Sequence, residues 1–386
     1  MKHNRKFYEG CFGIERETLR IDRNGRLAQT PHPFGDDESI TRDFCENQIE
    51  VITPVCNSVS QAVSELEKLD KKVRRTLAEN GEKLWLYSNP PHIDSEDEIP
   101  VAAFTGEHTG KRLYREQLER RYGKRLMLYS GVHFNFSFSE AYLREICDEP
   151  DHESFRERFY LKLYKQLSRC SWLLLLLTAA SPVYELSLEK DGACGTALSR
   201  YSSMRSSECG YWNGFVPILS FDSLSDFVQS IKRYVDKGVL WSASELYLPV
   251  RLKPRGVNSL DSFENGVSHI ELRMFDLDPF EPLGVCEKDL EFAHLLIMFL
   301  SREPDLDYTP ELQRAAVADH KNAALYDLDG VISEGIPILE RAVRVLDRMS
   351  SFFEGDTAAE EIIGYERQKL SDRLCTRIRA EDIYKQ

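Results

Sequence analysis

The stretch GIERETLRI, residues 13–21, reads as a β-strand that carries two glutamates one residue apart. Side chains alternate faces along a strand, so Glu15 and Glu17 point the same way as Gly13, Leu19 and Ile21. Two like charges on one half-buried face repel and lose hydration unless a cation sits between them. Three other segments repeat the design. In SGVHFNFSF (130–138), Val132, Phe134, Phe136 and Phe138 form one face, and His133, Asn135 and Ser137 the other. In HIELRMFDL (269–277), Ile270, Leu272 and Met274 alternate with His269, Glu271 and Arg273. DFCENQIEVITP (43–54) sets Glu46, Gln48 and Glu50 opposite Ile49 and Val51, with Asp43 just ahead. Antiparallel sheets tolerate one polar face. A face that is acidic strand after strand asks for a counter-charge.

The polar faces together hold Glu15, Glu17, Asp43, Glu50, His133 and Glu271, with Arg273 nearby. Such an oxygen-rich donor set suits Mg²⁺ or Mn²⁺ better than zinc, since no cysteine or second histidine keeps a ligand-like spacing. Carboxylates in excess of what one ion needs point to two or more ions, as in sites that clamp a transferring phosphoryl group. Arg273, on the same face as Glu271, is suited to grip phosphate oxygens bidentately. Taken singly, each acid is explained by a solvated strand and His133 by a satisfied core histidine; the pattern repeated on four strands favours metal. The segment GEHTGK (106–111) is one residue short of a phosphate loop and lacks its Ser/Thr, and no GxGxxG follows a strand. A nucleotide is therefore expected to bind through metal and sheet.

Of 386 residues, 42% are hydrophobic and 30% charged, which fits a globular protein with a sizeable core. The net charge of −14 argues against nucleic acid as a partner, although an ordinary acidic surface explains the same total. Nine scattered cysteines without a CxxC pair suggest reduced thiols, each a small core residue by default. The N-terminus lacks the apolar core of a signal peptide, and Trp172–Ala180 is under half of a membrane span. These features predict a cytoplasmic protein with no membrane partner. Helical periodicity predicts helices over 58–80, about 109–122 and about 153–179. After about residue 300 the chain reads as mostly helical. Pro337 opens a helix there whose Leu339, Ala342, Leu346, Met349 and Phe353 face the core before Gly355. No linker interrupts the sequence, so residues 1–386 are expected to form a single α+β domain.

Seven segments carry a resemblance: GIERETLRI, DFCENQIEVITP, LYREQLERRYG, YSGVHFNFS, SSMRSSECGYWN, ELYLPVRLKPRG and HIELRMFDLDPF. In order, they resemble the motifs of bacterial glutamate–cysteine ligases and of the ligase module of bifunctional glutathione synthetases, over residues of about 12–285. The resemblance implies an antiparallel sheet of about six strands curled into a funnel with a polar, metal-binding inner face. Helices pack outside it, as in glutamine synthetase, and about 300–386 form a helical C-terminal part. It implies that ATP phosphorylates the γ-carboxylate of glutamate and that the cysteine amine displaces phosphate, the first step of glutathione biosynthesis. Another amine acceptor, or a Mg²⁺/Mn²⁺-dependent hydrolase on the same acidic sheet, is the alternative.

Matched residue by residue, the family's metal ligands fall on Glu15, Glu17, Asp43, Glu50, His133 and Glu271. Arg273 falls on the arginine at the transferring phosphate, which makes Arg273, Glu15 and Glu17 the catalytic candidates. Arg205 matches a contact to glutamate. Phe44, Tyr114, Arg115, Leu118, Tyr211 and Tyr247 match the acceptor pocket. Met127, Leu128 and Tyr129 stand where the family tends to carry polar residues. No second module follows the last motif, so a separate glutathione synthetase is expected downstream.

Overall fold

The computed structural model describes residues 5–104 and 109–371. Cys375 and the first three residues of GEHTGK lie outside the described residues. The strands are β1 (Gly10–Ile21), β2 (Ile40–Thr41), β3 (Gln48–Ile52), β4 (Lys83–Trp85), β5 (Gly131–Phe138), β6 (Val183–Glu185), β7 (Thr196–Leu198), β8 (Val250–Pro254), β9 (Val267–Asp276), β10 (Ile332–Ser333) and β11 (Ile336–Pro337). The helices are α1 (Arg5–Tyr8), α2 (Val59–Glu79), α3 (Thr109–Tyr122), α4 (Glu140–Ile146), α5 (His152–Thr178), α6 (Leu224–Asp236), α7 (Glu287–Arg302), α8 (Pro310–Ala323), α9 (Ile338–Phe352) and α10 (Thr357–Ser371).

The main sheet is antiparallel in the order β2-β3-β1-β5-β9-β8. Short β4 pairs with the end of β1 that β5 leaves uncovered: Leu19 faces Gln48 on one side and Trp85 on the other. The protein is thus α+β with an antiparallel sheet of seven strands, against the about six that the resemblance implies. Among the described residues the sheet is open, ending at β2 and β8.

The apolar sides of the strands face one way, as their alternation predicts. Ile14, Ile49, Val51, Val132, Phe134, Phe136, Ile270 and Leu272 are all 1% exposed or less and join one core with α2, α5 and α7. Burying each such side chain stabilises by about 1.5–3 kcal/mol. Helix α5 is the buried helix expected, and its greasy end packs inside the protein. Among the described residues no helix is long and apolar enough to cross a membrane. Helix α2 begins at the Ser58 cap, which accepts from Gln61 N at 3.1 Å, and ends at Asn80 before Gly81 at φ +71°.

Three local readings need correction. Strand β3 starts at Gln48, because the Gln48 side chain accepts from Phe44 N (2.7 Å) and Cys45 N (2.9 Å) and folds 44–47 into a turn. Glu46 is thereby removed from the polar face; its carboxylate takes His32 N, Ala103 N and Arg42 Nη1 at 2.9–3.1 Å. In α9 and at its C-cap, Ala342, Leu346, Met349 and Phe353 are fully buried as expected, but Leu339 is 41% exposed and Ile338, four residues before Ala342, takes the core position in the first turn. Cys11, Cys194 and Cys209 are exposed rather than core residues.

Candidate active site

Strand register assembles the polar face. Across β1 and β5, Glu15 stands opposite His133. Across β1 and β3, Glu17 stands opposite Glu50. Across β9, Glu271 pairs with Asn135 on one side and Arg251 on the other. Glu15 Oε1 accepts from Asn135 Nδ2 at 3.0 Å, and Glu15 Oε2 lies 3.3 Å from His133 Nδ1. His133 Nδ1 is also 3.6 Å from Glu271 Oε1, and its Nε2 is 3.6 Å from Glu17 Oε1. One ligand atom from each of Glu15, His133 and Glu271 lies within 4.8 Å of the others.

Charge divides this face in two. At β8–β9, fully buried Glu271 meets Lys253 Nζ at 3.1 Å, Arg273 Nη1 at 3.2 Å and Arg251 Nε at 3.8 Å. Burial raises its pKa, but Arg273, Lys253 and Arg251 outweigh burial and hold it well below the usual carboxylate range. Arg273 is raised in turn: burial opposes its charge, and Glu271 and then Glu17 overcome that. At β1–β3 the balance is reversed. Burial, then the charges of Asp43, Glu15 and Glu17, push Glu50 well above the usual range. Glu17 is raised by burial and Asp43 against the pull of His133, Arg205 and Arg273. Burial and the Glu271 charge push Glu15 upward, yet His133 and Lys253 bring it below its ordinary value.

Asp43 sits in the turn before β3, where Arg115 Nε donates to its carbonyl and Arg115 Nη2 lies 3.7 Å from its Oδ1. The residues fit a divalent cation on two counts. Glu17 and Glu50 oppose each other as like charges, an arrangement that destabilises a sheet without a counter-ion. His133 Nε2 is buried with no hydrogen-bond partner, a costly state for an imidazole nitrogen.

Beside the acids lies a second apolar cluster. It buries Leu19 from β1 with Phe44, Cys45, Leu118, Met127, Leu128 and Tyr247, and Tyr114 and Tyr211 pack against it. The Tyr211 and Tyr247 rings are 4.3 Å apart. Burial pushes the Tyr114 phenol up to about 12, so these hydroxyls stay protonated donors at neutral pH. Phe44, Tyr114, Leu118, Tyr211 and Tyr247 are therefore brought together, with Arg115 at the Asp43 edge. Met127 and Leu128 are buried in this cluster, while Tyr129 belongs to the main core.

Arg205 is 8% exposed and donates from Nη1 to the Arg273 carbonyl at 2.8 Å. It lies flat on Gly131, where an added Cβ would come within 2.4 Å of its guanidinium carbon. Sequence reading overlooked Lys253 and Arg251, which sit in ELYLPVRLKPRG in alternation with Val250 and Leu252. That alternation was the available signal. Asn135, placed on the polar face but given no role, is the third group in contact with the acids.

A glutamate–cysteine ligase family model matches residues 1–239 and 233–322. The chain belongs to the glutamate–cysteine ligase family. The glutathione biosynthesis bifunctional protein of Listeria monocytogenes is 36% identical over 94% of this chain and 50% of its own length. That of Clostridium perfringens is 34% identical over 90% of the chain and 48% of its own length. The chain spans about half the length of the curated relatives it matches. A bifunctional glutathione synthetase from Pasteurella multocida superposes with TM-score 0.81 at 29% identity, covering 97% of this chain and 50% of that one. The glutamate–cysteine ligase of Francisella tularensis, solved with AMP, shares the fold at TM-score 0.85 and 23% identity, covering 98% of this chain and 85% of that one.

Proposed function

We propose that this chain is an ATP-dependent ligase that joins the γ-carboxyl of L-glutamate to the amine of L-cysteine in glutathione biosynthesis. Family membership supports it, and one observation carries it to these residues. Four acids, one imidazole and Arg273 share a sheet face, with Asp43 in the turn before β3 and with Arg205 and a tyrosine-lined apolar cluster beside them. A carboxylate is a poor electrophile. Attack of its oxygen on the terminal phosphorus of ATP releases ADP and leaves an acyl phosphate. Attack by the amine then forms the amide and expels phosphate.

In this reading Glu15, Glu17, Asp43, Glu50, His133 and Glu271 hold two or more Mg²⁺ ions, with Mn²⁺ the alternative. Bound metal neutralises charge on the transferring phosphoryl group. Arg273 grips the phosphoryl oxygens, and Arg205, fixed on Gly131, orients the glutamate. Phe44, Tyr114, Arg115, Leu118, Tyr211 and Tyr247 seat the acceptor and exclude water. The sheet is proposed to curl as a funnel around this face, in a single domain whose residues of about 12–285 form the catalytic part. The helices from about residue 300 to Ser371 buttress it; the rest of the helical part expected to reach 386 lies outside the described residues. A cytoplasmic location and a synthetase activity distinct from this site, which adds the last residue of glutathione, complete the proposal.

Incubation with ATP, Mg²⁺, glutamate and cysteine, followed by product mass, tests it; the γ-glutamylcysteine mass is the expected result. Equal turnover across a panel of amines would replace cysteine by another acceptor. Hydrolytic turnover of phosphoesters without ATP would replace the ligase by a metal-dependent hydrolase.

A further inference from the structure

His320, near the end of α8, lies beyond the last of the seven motifs and is buried. Its Nδ1 is 2.9 Å from Ser171 Oγ of α5, and that hydroxyl donates to the Ser168 carbonyl at 3.1 Å. A hydroxyl has one proton to give. With it spent on Ser168, the imidazole must donate from Nδ1, which leaves a lone pair on Nε2. His320 lines a cavity of about 40 Å³ together with Arg205, Ser206, Tyr211, Trp212 and Arg273. A water needs about 10–15 Å³ of such space and two to four polar partners, and this cavity offers both. With Nδ1 committed to Ser171, Nε2 is the polar atom that His320 brings to it.

Arg205 spends one N–H on the Arg273 carbonyl. A guanidinium has five donors and no lone pair, so an acceptor beside it is favourable and a second donor is not. Burial, and then the charge of Arg205, keeps His320 neutral. The end of α8 also braces both flanks of Arg205. On one side Trp212 stands edge-on to His320 at 5.6 Å and donates from Nε1 to the Ser206 carbonyl at 3.1 Å. On the other, the Ala324 carbonyl accepts from Ser202 N at 2.7 Å, and Tyr326 N donates to the Arg200 carbonyl at 2.8 Å.

We propose that His320 is a positioning residue for Arg205: its Nε2 accepts, through water in this cavity, guanidinium N–H groups that glutamate does not use, and so fixes the plane in which Arg205 meets the substrate. The role at glutamate rests on the ligase reading, whereas the tautomer stands apart from it.

NMR of wild-type protein carrying nitrogen-labelled histidine reads the tautomer at neutral pH, with His320→Gln to assign the ring. A proton on Nδ1 is expected; a proton on Nε2 overturns the proposal whatever the protein catalyses. Steady-state kinetics and thermal midpoints of two variants then read the role, since an Asn amide reaches the place of Nδ1 and a Gln amide that of Nε2. His320→Asn, which keeps the Ser171 contact, is expected to hold its midpoint and raise the glutamate KM about tenfold, with kcat and the ATP KM within about twofold of wild type. His320→Gln, which gives up the Ser171 contact, should lower the midpoint and keep the glutamate KM within about threefold of wild type. An unchanged glutamate KM in His320→Asn overturns the proposal. So does a KM that rises in step with the lost midpoint across both variants, which marks His320 as a core residue alone. Wild-type protein that forms no γ-glutamylcysteine breaks the ligase reading instead, and the tautomer then decides this one.

Discussion

The two faces of β1 bury charge in opposite ways. Arg16 and Arg20 point toward the helices and are fully buried. Asp70 of α2 lies 2.7 Å from Arg16 Nη2, and Glu82 lies 2.7 Å from Arg20 Nη1. Arg20 also donates to the carbonyls of Thr30 and Glu46 at 2.8 Å. One residue away on the same strand, Glu15 and Glu17 face the sheet's other side, where around Glu50 the acids Asp43, Glu15 and Glu17 outnumber the nearby cation Arg115. The arginine face has its charge paired within the protein and, through Arg16 and Asp70, holds a helix to a strand, although Arg16 Nε and Arg20 Nε are buried without a hydrogen-bond partner. The glutamate face is left with charge to be met from outside. Internal neutralisation marks a structural ion pair; its absence marks a binding face.

Breaking the glutamate face should cost turnover and spare the fold. Glu15→Gln and Glu17→Gln are each expected to lower γ-glutamylcysteine formation by about a hundredfold or more, with little change in the thermal midpoint. A double variant of wild-type activity would remove the cage. Breaking the arginine face should do the reverse. Arg16→Met leaves Asp70 buried beside only Arg74 Nε at 2.5 Å and is expected to cost about 3–5 kcal/mol in urea denaturation. Adding Asp70→Leu should restore much of that, and a single variant as stable as wild type would show that the pair carries no structural weight.

Between the two lies Gly131→Ala, which forces Arg205 off its seat. It should raise the KM for glutamate by about tenfold and cost about 1–3 kcal/mol, checked by steady-state kinetics and denaturation. An unchanged KM would detach Arg205 from glutamate binding.

A pH dependence sharpens the contrast through histidine. His133 sits among acids, whereas His294 lies against Phe12 and Phe136 on the apolar side of the sheet. Burial lowers His294 to about 3, and burial with the charges of Arg205 and Lys321 lowers His320 to about 3. Both are neutral in the folded protein and take up protons on unfolding. Their stabilising contribution is full above a pH of about 6.5 and is lost on acidification from there toward pH 3. Each accounts for about 1.4 kcal/mol per pH unit within that window. Urea midpoints that stay level from pH 7 to 5 in wild type would show that these rings are not held neutral, and His294→Leu should flatten the profile.

Much of this was legible in one dimension. Strands β1, β5 and β9 and helices α2, α3 and α5 were readable because alternation and helical spacing are local and repeat several times. The acids could be gathered for the same reason. Glu46 was misplaced because a single side-chain acceptor, Gln48, turned the chain before the strand began. Leu339 was misplaced because positions three and four residues before Ala342 both fit the helical period, and Ile338 is the one that is buried. Lys253 and Arg251 escaped notice because a basic stretch looks like solvated surface until β8 is registered on β9.

By itself, then, the sequence determined which side chains share a face, because backbone geometry fixes the two-residue and 3.6-residue periods wherever the chain is regular. It also determined the family, because seven motifs keep their order. The tertiary structure alone decided which charges are cancelled. Arg16 finds Asp70 across 54 positions of sequence, and Glu271 finds Lys253 only through strand register. Charge pairing depends on distance in space, which no local period encodes, so the difference between a structural ion pair and a binding face appears only on folding.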